Sequence, residues 1–124
     1  KAVKESLYHV RHSAEWVIRL GDGTQESHNR MVAANKALAP YIGELFEMDD
    51  VTTAAIAAGI IPQIGDLRAT WEAQVKSVYD AATLTPTFDH LAQTGGRIGH
   101  HTEDMGFLLA QLQYVQRTYP NMTW

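Results

Sequence analysis

The residues of this 124-residue chain with most capacity for chemistry lie near its start. Glu5, His9, His12 and Trp16 follow one another at steps of four, three and four, so a helix would carry them as one stripe. A carboxylate and two imidazoles on one face suit a metal ion or a proton relay. A di-iron bundle asks for more: two Glu-x-x-His pairs and two further Glu from other helices. No Glu here has His three residues later; after Glu5 that place is held by Tyr8, with His9 one step beyond. No His-Glu-x-x-His occurs either. The stripe therefore leaves two readings. Glu5, His9 and His12 form a mononuclear site in a helical metalloenzyme, or Glu5, Tyr8 and His9 hydrogen-bond one another or a neighbouring chain.

A second cluster, His100, His101, Glu103 and Asp104, falls where a later helix should begin. His100 and Asp104 are four apart and can face each other. Acids there also suit the helix dipole, so a capped, solvated terminus or an interface explains them equally well. Arg19-Leu20-Gly21-Asp22-Gly23-Thr24 is glycine-rich but lacks Gly-Lys-Ser/Thr and follows a helix, so it reads as a tight helix–helix turn. Gly95-Gly96-Arg97 could offer backbone N–H groups to an anion, or serve as a partner-gripping loop. Phe107, Gln111 and Tyr114, with His101 nearby, could form a partner interface on the last helix. Arg11, Arg19 and Arg97 are the available cations should the chain be an acyl-CoA-binding module. No Ser-His-acid arrangement stands out among six His and many acids.

The elements that must position these residues are helical. Val3, Leu7, Val10, Ala14 and Val17 keep a four-three spacing, which predicts a first helix ending at Gly21. Thr24 can cap a second helix carrying Met31, Ala34, Leu38 and Leu45, with Pro40 kinking or breaking it. Asp49 or Asp50 can cap a short helix from Val51 to Ala58, stopped by Gly59. Residues 60–64 read as an apolar connector pinned against the bundle. Asp66 can cap a third long helix with Leu67, Trp71, Val75, Val78 and Ala82 on one face, and Thr85-Pro86 closes that region. After a loop jointed by Gly95, Gly96 and Gly99, a last helix runs from near His100–Thr102 through Val115 to Pro120. The expectation is one all-α domain over 1–124, with four main helices and one short one.

Composition narrows the function classes. Hydrophobic residues are 45% and charged residues 19%, enough apolar content for a core. Ten basic and fourteen acidic residues give a net charge of −4, which argues against nucleic-acid binding. Without cysteine there is no disulfide, thiolate site or Cys nucleophile. The longest apolar run, 54–61, is far short of the roughly 20 residues of a membrane span, and no leader pattern opens the chain. A cytoplasmic location is expected. The first residue is Lys1, already inside an amphipathic pattern, and the chain reads as a piece of something longer.

Taken in order, these motifs resemble a known family. Lys4-Glu5-Ser6-Leu7-Tyr8-His9-Val10-Arg11, Arg19 to Thr24 and Glu44-Leu45-Phe46 are similar to segments of the PaaC structural subunits of phenylacetyl-CoA ring-epoxidising monooxygenases. So are 67–73, Gly95-Gly96-Arg97, 99–103, 113–117 and the terminal Pro120 to Trp124. The resemblance spans the chain and corresponds to the C-terminal half of such a subunit. It implies a ferritin-like helical bundle that scaffolds a separate di-iron catalytic subunit in aerobic phenylacetate degradation, with no metal site of its own. It also implies that Glu5, Tyr8 and His9 are vestigial metal-site positions, Tyr8 standing where a His ligand would be. A half-bundle left alone exposes apolar surface, so self-association that restores a bundle is expected.

Overall fold

The computed structural model describes residues 1–88 and 93–123; Trp124 and residues 89–92 of the expected loop lie outside the described residues. Two compact units result, 1–93 and 94–124. Among the described residues all regular structure is helical, as the apolar periodicity predicts, and no helix is long and apolar enough to cross a membrane.

The first unit begins with α1 (Ala2–Gly21) and α2 (Gln25–Leu38), joined by the expected tight turn. Thr24 caps α2: its Oγ1 accepts the Ser27 N–H at 3.2 Å. Glu26 in the first turn pairs with Arg30 at 2.6 Å. Pro40 acts as expected. The α-helix stops at Leu38 and the chain tightens into a 3-10 segment, Ala39–Phe46, because proline offers no N–H to the carbonyl four residues back. Asp49 caps α3 (Asp50–Ala57), accepting the Thr52 N–H at 2.6 Å. Gly59, at φ +69°, closes α3 with paired bonds from Gly59 N–H to Ile56 O and from Ile60 N–H to Ala55 O.

Several boundaries differ from expectation. The α3 cap turns Ile60 outward, so residues 60–64 are not pinned throughout: Ile61 and Ile64 are half-buried and Ile60 is exposed. Helix α4 (Ile64–Ala81) starts two residues before Asp66, which sits inside its first turn while Gln63 holds the cap position. It ends before Thr85-Pro86 because Thr83 adopts φ +56°, letting Leu84 N–H reach back to Tyr79 O at 2.9 Å and Thr83 N–H to Asp80 O. Glycine is the usual occupant of that backbone position; a β-branched residue there is strained.

Among the described residues the buried side chains of this unit are Ala39, Ala82, Leu84 and Thr52, and no large side chain is fully enclosed. Ala82 and Leu84 lie against Gly21, where α1 ends beside α4. A Cβ on Gly21 would lie 2.5 Å from Ala82 O and 2.8 Å from Ala82 Cβ, so the two helices meet at a distance only glycine allows. Further along α4, Trp71 meets Phe46 edge-on at 5.5 Å and Phe88 at 5.8 Å, fastening the 3-10 segment to the helix. The apolar stripe of α1 is only partly covered. Ala14 and Val17 are half-buried, but Val3, Leu7 and Val10 are 73%, 65% and 61% exposed.

The second unit opens with Gly95 and Gly99, both left-handed, bracketing a 3-10 turn, Gly96–Ile98. The expected last helix starts later than His100–Thr102 and is divided: α5 (Asp104–Leu112) and α6 (Tyr114–Thr118). Gln113, at φ −95° and ψ 0°, leaves helical geometry, and bonding resumes from Arg117 N–H to Gln113 O. The chain thus has six α-helices among its described residues, the division of the last adding one to the expected five.

Two substitutions test this junction by thermal or urea unfolding. Gly21→Val forces side-chain atoms into the Ala82 backbone and lowers stability by about 1–3 kcal/mol. Thr83→Gly relieves the left-handed strain and raises stability by about 1 kcal/mol.

Candidate functional site

The predicted stripe forms on α1 and lies in solvent. His9 Nε2 stands 3.6 Å from Glu5 Oε1, with the two side chains 66% and 72% exposed. Tyr8 stacks on His12 at 5.7 Å and 21°, and meets His9 edge-on at 5.9 Å. His12 meets Trp16 edge-on at 6.4 Å. Arg11 lies over the Tyr8 ring at 5.8 Å and Arg19 over Trp16 at 5.7 Å, so these cations flank a ladder of rings along the helix. The stripe thus joins Glu5 to His9 and Tyr8 to His12. It does not gather Glu5, His9 and His12 at one point: among the described residues no three His, Asp or Glu side chains come together as a metal ion requires. A di-metal centre, with about four carboxylates and two imidazoles, does not fit the residues present.

The second cluster is likewise dispersed. His100 precedes α5 and its ring stands over Gly95, where a Cβ would be 2.8 Å from Nδ1. Asp104 begins α5 and receives the Thr102 hydroxyl at 3.5 Å. Phe107 and Gln111 lie on α5, but Tyr114 falls beyond the break at Gln113, so the three do not share one helix as expected. Phe107 and Tyr114 are exposed, as are His101 and Gln111.

A polar seam in the first unit has little signature in the sequence. His28 Nδ1 lies 2.8 Å from Gly21 O, so the ring N–H donates to the last carbonyl of α1. The Thr83 hydroxyl reaches the same oxygen at 3.4 Å. Asn35 Nδ2 donates to Thr85 O at 3.1 Å and to Thr87 Oγ1 at 3.3 Å, while its Oδ1 accepts from Tyr79 Oη at 3.1 Å. Burial pushes the Tyr79 hydroxyl above its ordinary pKa of 10.0. Only the seven-residue spacing of His28 and Asn35 on one helix face hints at this; the partners of Asn35 lie some 50 residues away.

Between α1 and α4 runs an open groove of about 370 Å³. Val10, Ala14 and Val17 form one wall, and Trp71, Val75 and Val78 the other. The surface is apolar, with no catalytic constellation in it, and its chemistry is that of a packing face.

Against this geometry the comparisons with known proteins are decisive. The family described as phenylacetic acid catabolic protein matches residues 1–124. The chain belongs to that family. It is 41% identical over 124 residues to the PaaC subunit of the 1,2-phenylacetyl-CoA epoxidase of Escherichia coli (strain K12). The match takes in 100% of this chain and 50% of that protein, so the chain spans about half the length of the relative. The resemblance read from the motifs is therefore correct.

The seam makes two predictions. Asn35→Ala strands the Tyr79 hydroxyl and the Thr85 carbonyl and lowers stability by about 1–2 kcal/mol in urea unfolding. The raised pKa of Tyr79 means the folded state holds its proton more tightly than the unfolded one. That contribution is complete below the unfolded value near 10 and is lost as pH rises through the folded value. Melting temperature should fall on the alkaline side of pH 10, and Tyr79→Phe should flatten that limb.

Proposed function

We propose that this chain is part of the structural subunit of a multicomponent, aerobic phenylacetyl-CoA ring-epoxidising monooxygenase in phenylacetate catabolism. In this reading it is non-catalytic, adopts a ferritin-like arrangement, works in the cytoplasm and scaffolds the di-iron catalytic subunit. The observation that carries the reading is the identity with the E. coli epoxidase subunit along the whole of this chain. The chemistry of the α1 stripe agrees with it. Glu5, Tyr8 and His9 are then positions of a lost metal site, with Tyr8 a poor substitute for an imidazole ligand, and the iron belongs to the partner. No step of the epoxidation passes through residues of this chain; its part is to bury apolar surface and fix the position of the subunit that does the chemistry.

Two surfaces serve that role. The exposed residues His101, Phe107, Gln111 and Tyr114 of the second unit are offered to the catalytic subunit. The open face of α1 and α4 supports association of this chain with itself. Aromatic and apolar side chains exposed in this number are unusual on a solitary chain and are the material of interfaces.

The assembly is tested by co-purifying the full-length subunit that contains this sequence with its tagged catalytic partner. Stable co-elution is expected, and a catalytic subunit eluting alone sinks the proposal. The division of labour is tested by Glu5→Gln and His9→Gln in the reconstituted complex. Turnover of phenylacetyl-CoA should stay within about twofold of the parent. A loss of more than about 100-fold, with stoichiometric iron or zinc in the isolated chain by elemental analysis, favours instead a metal-binding helical-bundle oxidoreductase using Glu5, His9 and His12.

A further inference from the structure

We propose that Asp22 is a site of spontaneous covalent modification, its peptide bond to Gly23 rearranging to the isoaspartyl form in the folded protein. The inference stands apart from the scaffold reading above, since it rests on the α1–α2 turn alone.

The chemistry needs no catalyst. The Gly23 amide nitrogen attacks Cγ of the Asp22 carboxyl group. A C–N bond forms, the carboxyl hydroxyl leaves with the amide proton as water, and a five-membered imide results. Water then adds to one of the two imide carbonyls. Addition at Cγ restores aspartate. Addition at the backbone carbonyl breaks the original peptide bond and leaves the chain running through the side chain, as isoaspartate. One water leaves and one returns, so composition and redox state are unchanged.

Both reacting groups are unencumbered. The Asp22 N–H is the last that α1 holds, bonding Ile18 O at 2.9 Å, and among the described residues the Gly23 N–H makes no hydrogen bond. The Asp22 side chain is exposed and has no hydrogen-bond or ion-pair partner among the described residues. Ring closure asks the nitrogen to turn toward the carboxyl group, and no bond of that nitrogen opposes the turn. An open polar pocket of about 280 Å³ adjoins, with Asp22, Gly23, Gln25 and Thr83 in its wall, so solvent reaches the imide.

The fold itself demands the residue that makes the bond labile. A Cβ at position 23 would lie 2.7 Å from Arg19 O and 2.8 Å from Ser27 Oγ, so the turn closes only around glycine. Glycine in turn leaves the nitrogen with no neighbouring side chain to shield it. The other described aspartates differ. Asp49 is engaged by the Thr52 N–H, and Asp80 pairs with Lys76 at 2.6 Å. Asp50, Asp66, Asp80 and Asp104 lie in α3, α4 and α5, where helical geometry fixes the next peptide, and each precedes a residue with a side chain.

Isomerisation reaches beyond the turn. It inserts one extra carbon into the backbone between α1 and α2. The same turn aligns His28 Nδ1 with Gly21 O at 2.8 Å. Lengthening it shifts the start of α2 against the end of α1 and loosens that bond.

The test is peptide mapping of the full-length subunit that contains this sequence, aged at physiological temperature both folded and in urea. Electron-transfer fragmentation reads isoaspartate site by site, and enzymatic methyl transfer from S-adenosylmethionine reads the total. In the folded protein residue 22 should isomerise at least about tenfold faster than Asp50, Asp66, Asp80 or Asp104, and within about tenfold of its own rate in urea. Asp22→Glu, whose closure needs a six-membered ring, should remove most of the methyl transfer with helix content unchanged by circular dichroism. Isoaspartate confined to the urea sample, or spread evenly over the aspartates, overturns the proposal. So does methyl transfer undiminished in Asp22→Glu. The isomer, separated by ion exchange, should unfold at lower urea than the parent; equal stability overturns the link to His28 and Gly21.

Discussion

The close approach of α1 to the end of α4 is the contact on which the first unit depends. Gly21 lets its backbone reach Ala82 within a distance that any side chain would forbid. The consequences spread outward. Ala82 and Leu84 become the deepest apolar side chains beside Ala39. The last carbonyl of α1, which has no partner within its own helix, comes within reach of His28 and Thr83. Thr83 is held in a left-handed conformation that glycine would occupy at no cost, and its hydroxyl offsets part of that strain by touching Gly21 O. One small residue thereby places a helix end, a loop and a polar seam.

That junction also explains what the unit lacks. A contact made through glycine and alanine brings backbones together but buries little apolar area, and dispersion and hydrophobic gains scale with that area. Away from it the helices diverge into an open groove, and the largest apolar side chains of α1 stay in water. The polar seam therefore sets geometry, while much of the apolar surface of α1 stays exposed. The contacts of the junction fix the orientation of the helices, and the exposed faces are left without a part in that task.

How much of this was legible in the sequence follows from the range of each interaction. Local devices were readable: the Thr24 and Asp49 caps, the stop at Gly59 and the change of helix type at Pro40 all act within four residues. The end of α4 falls within one residue of Ala82, as read, but its device was not legible: a left-handed threonine takes the place of the glycine that usually closes a helix. The division at Gln113 has no breaker residue to announce it, since Gln is a sound helix former. The Asn35–Tyr79 and His28–Gly21 bonds were invisible for a different reason. Polar residues on an amphipathic helix look solvated until the partner is known, and here the partners come from other elements. The α1 stripe was placed correctly as a stripe, yet spacing alone could not show that its members would pair locally instead of converging.

The local pairing on α1 shows why a stripe on one helix is not by itself a metal site. On a single helix, side chains four residues apart reach each other, but seven residues span about 10 Å, too far for one ion. Convergence requires ligands from at least one further helix, so the stripe by itself has no means of enforcing a metal. With Tyr8 in the sequence, the cheapest arrangement is the one observed: an exposed Glu5–His9 pair and a ring ladder flanked by arginines, each worth a fraction of a kcal/mol to the helix. None of these contacts touches the Gly21 junction. The chemical face of the helix is free to drift, while the packing face remains bound by the geometry of α4.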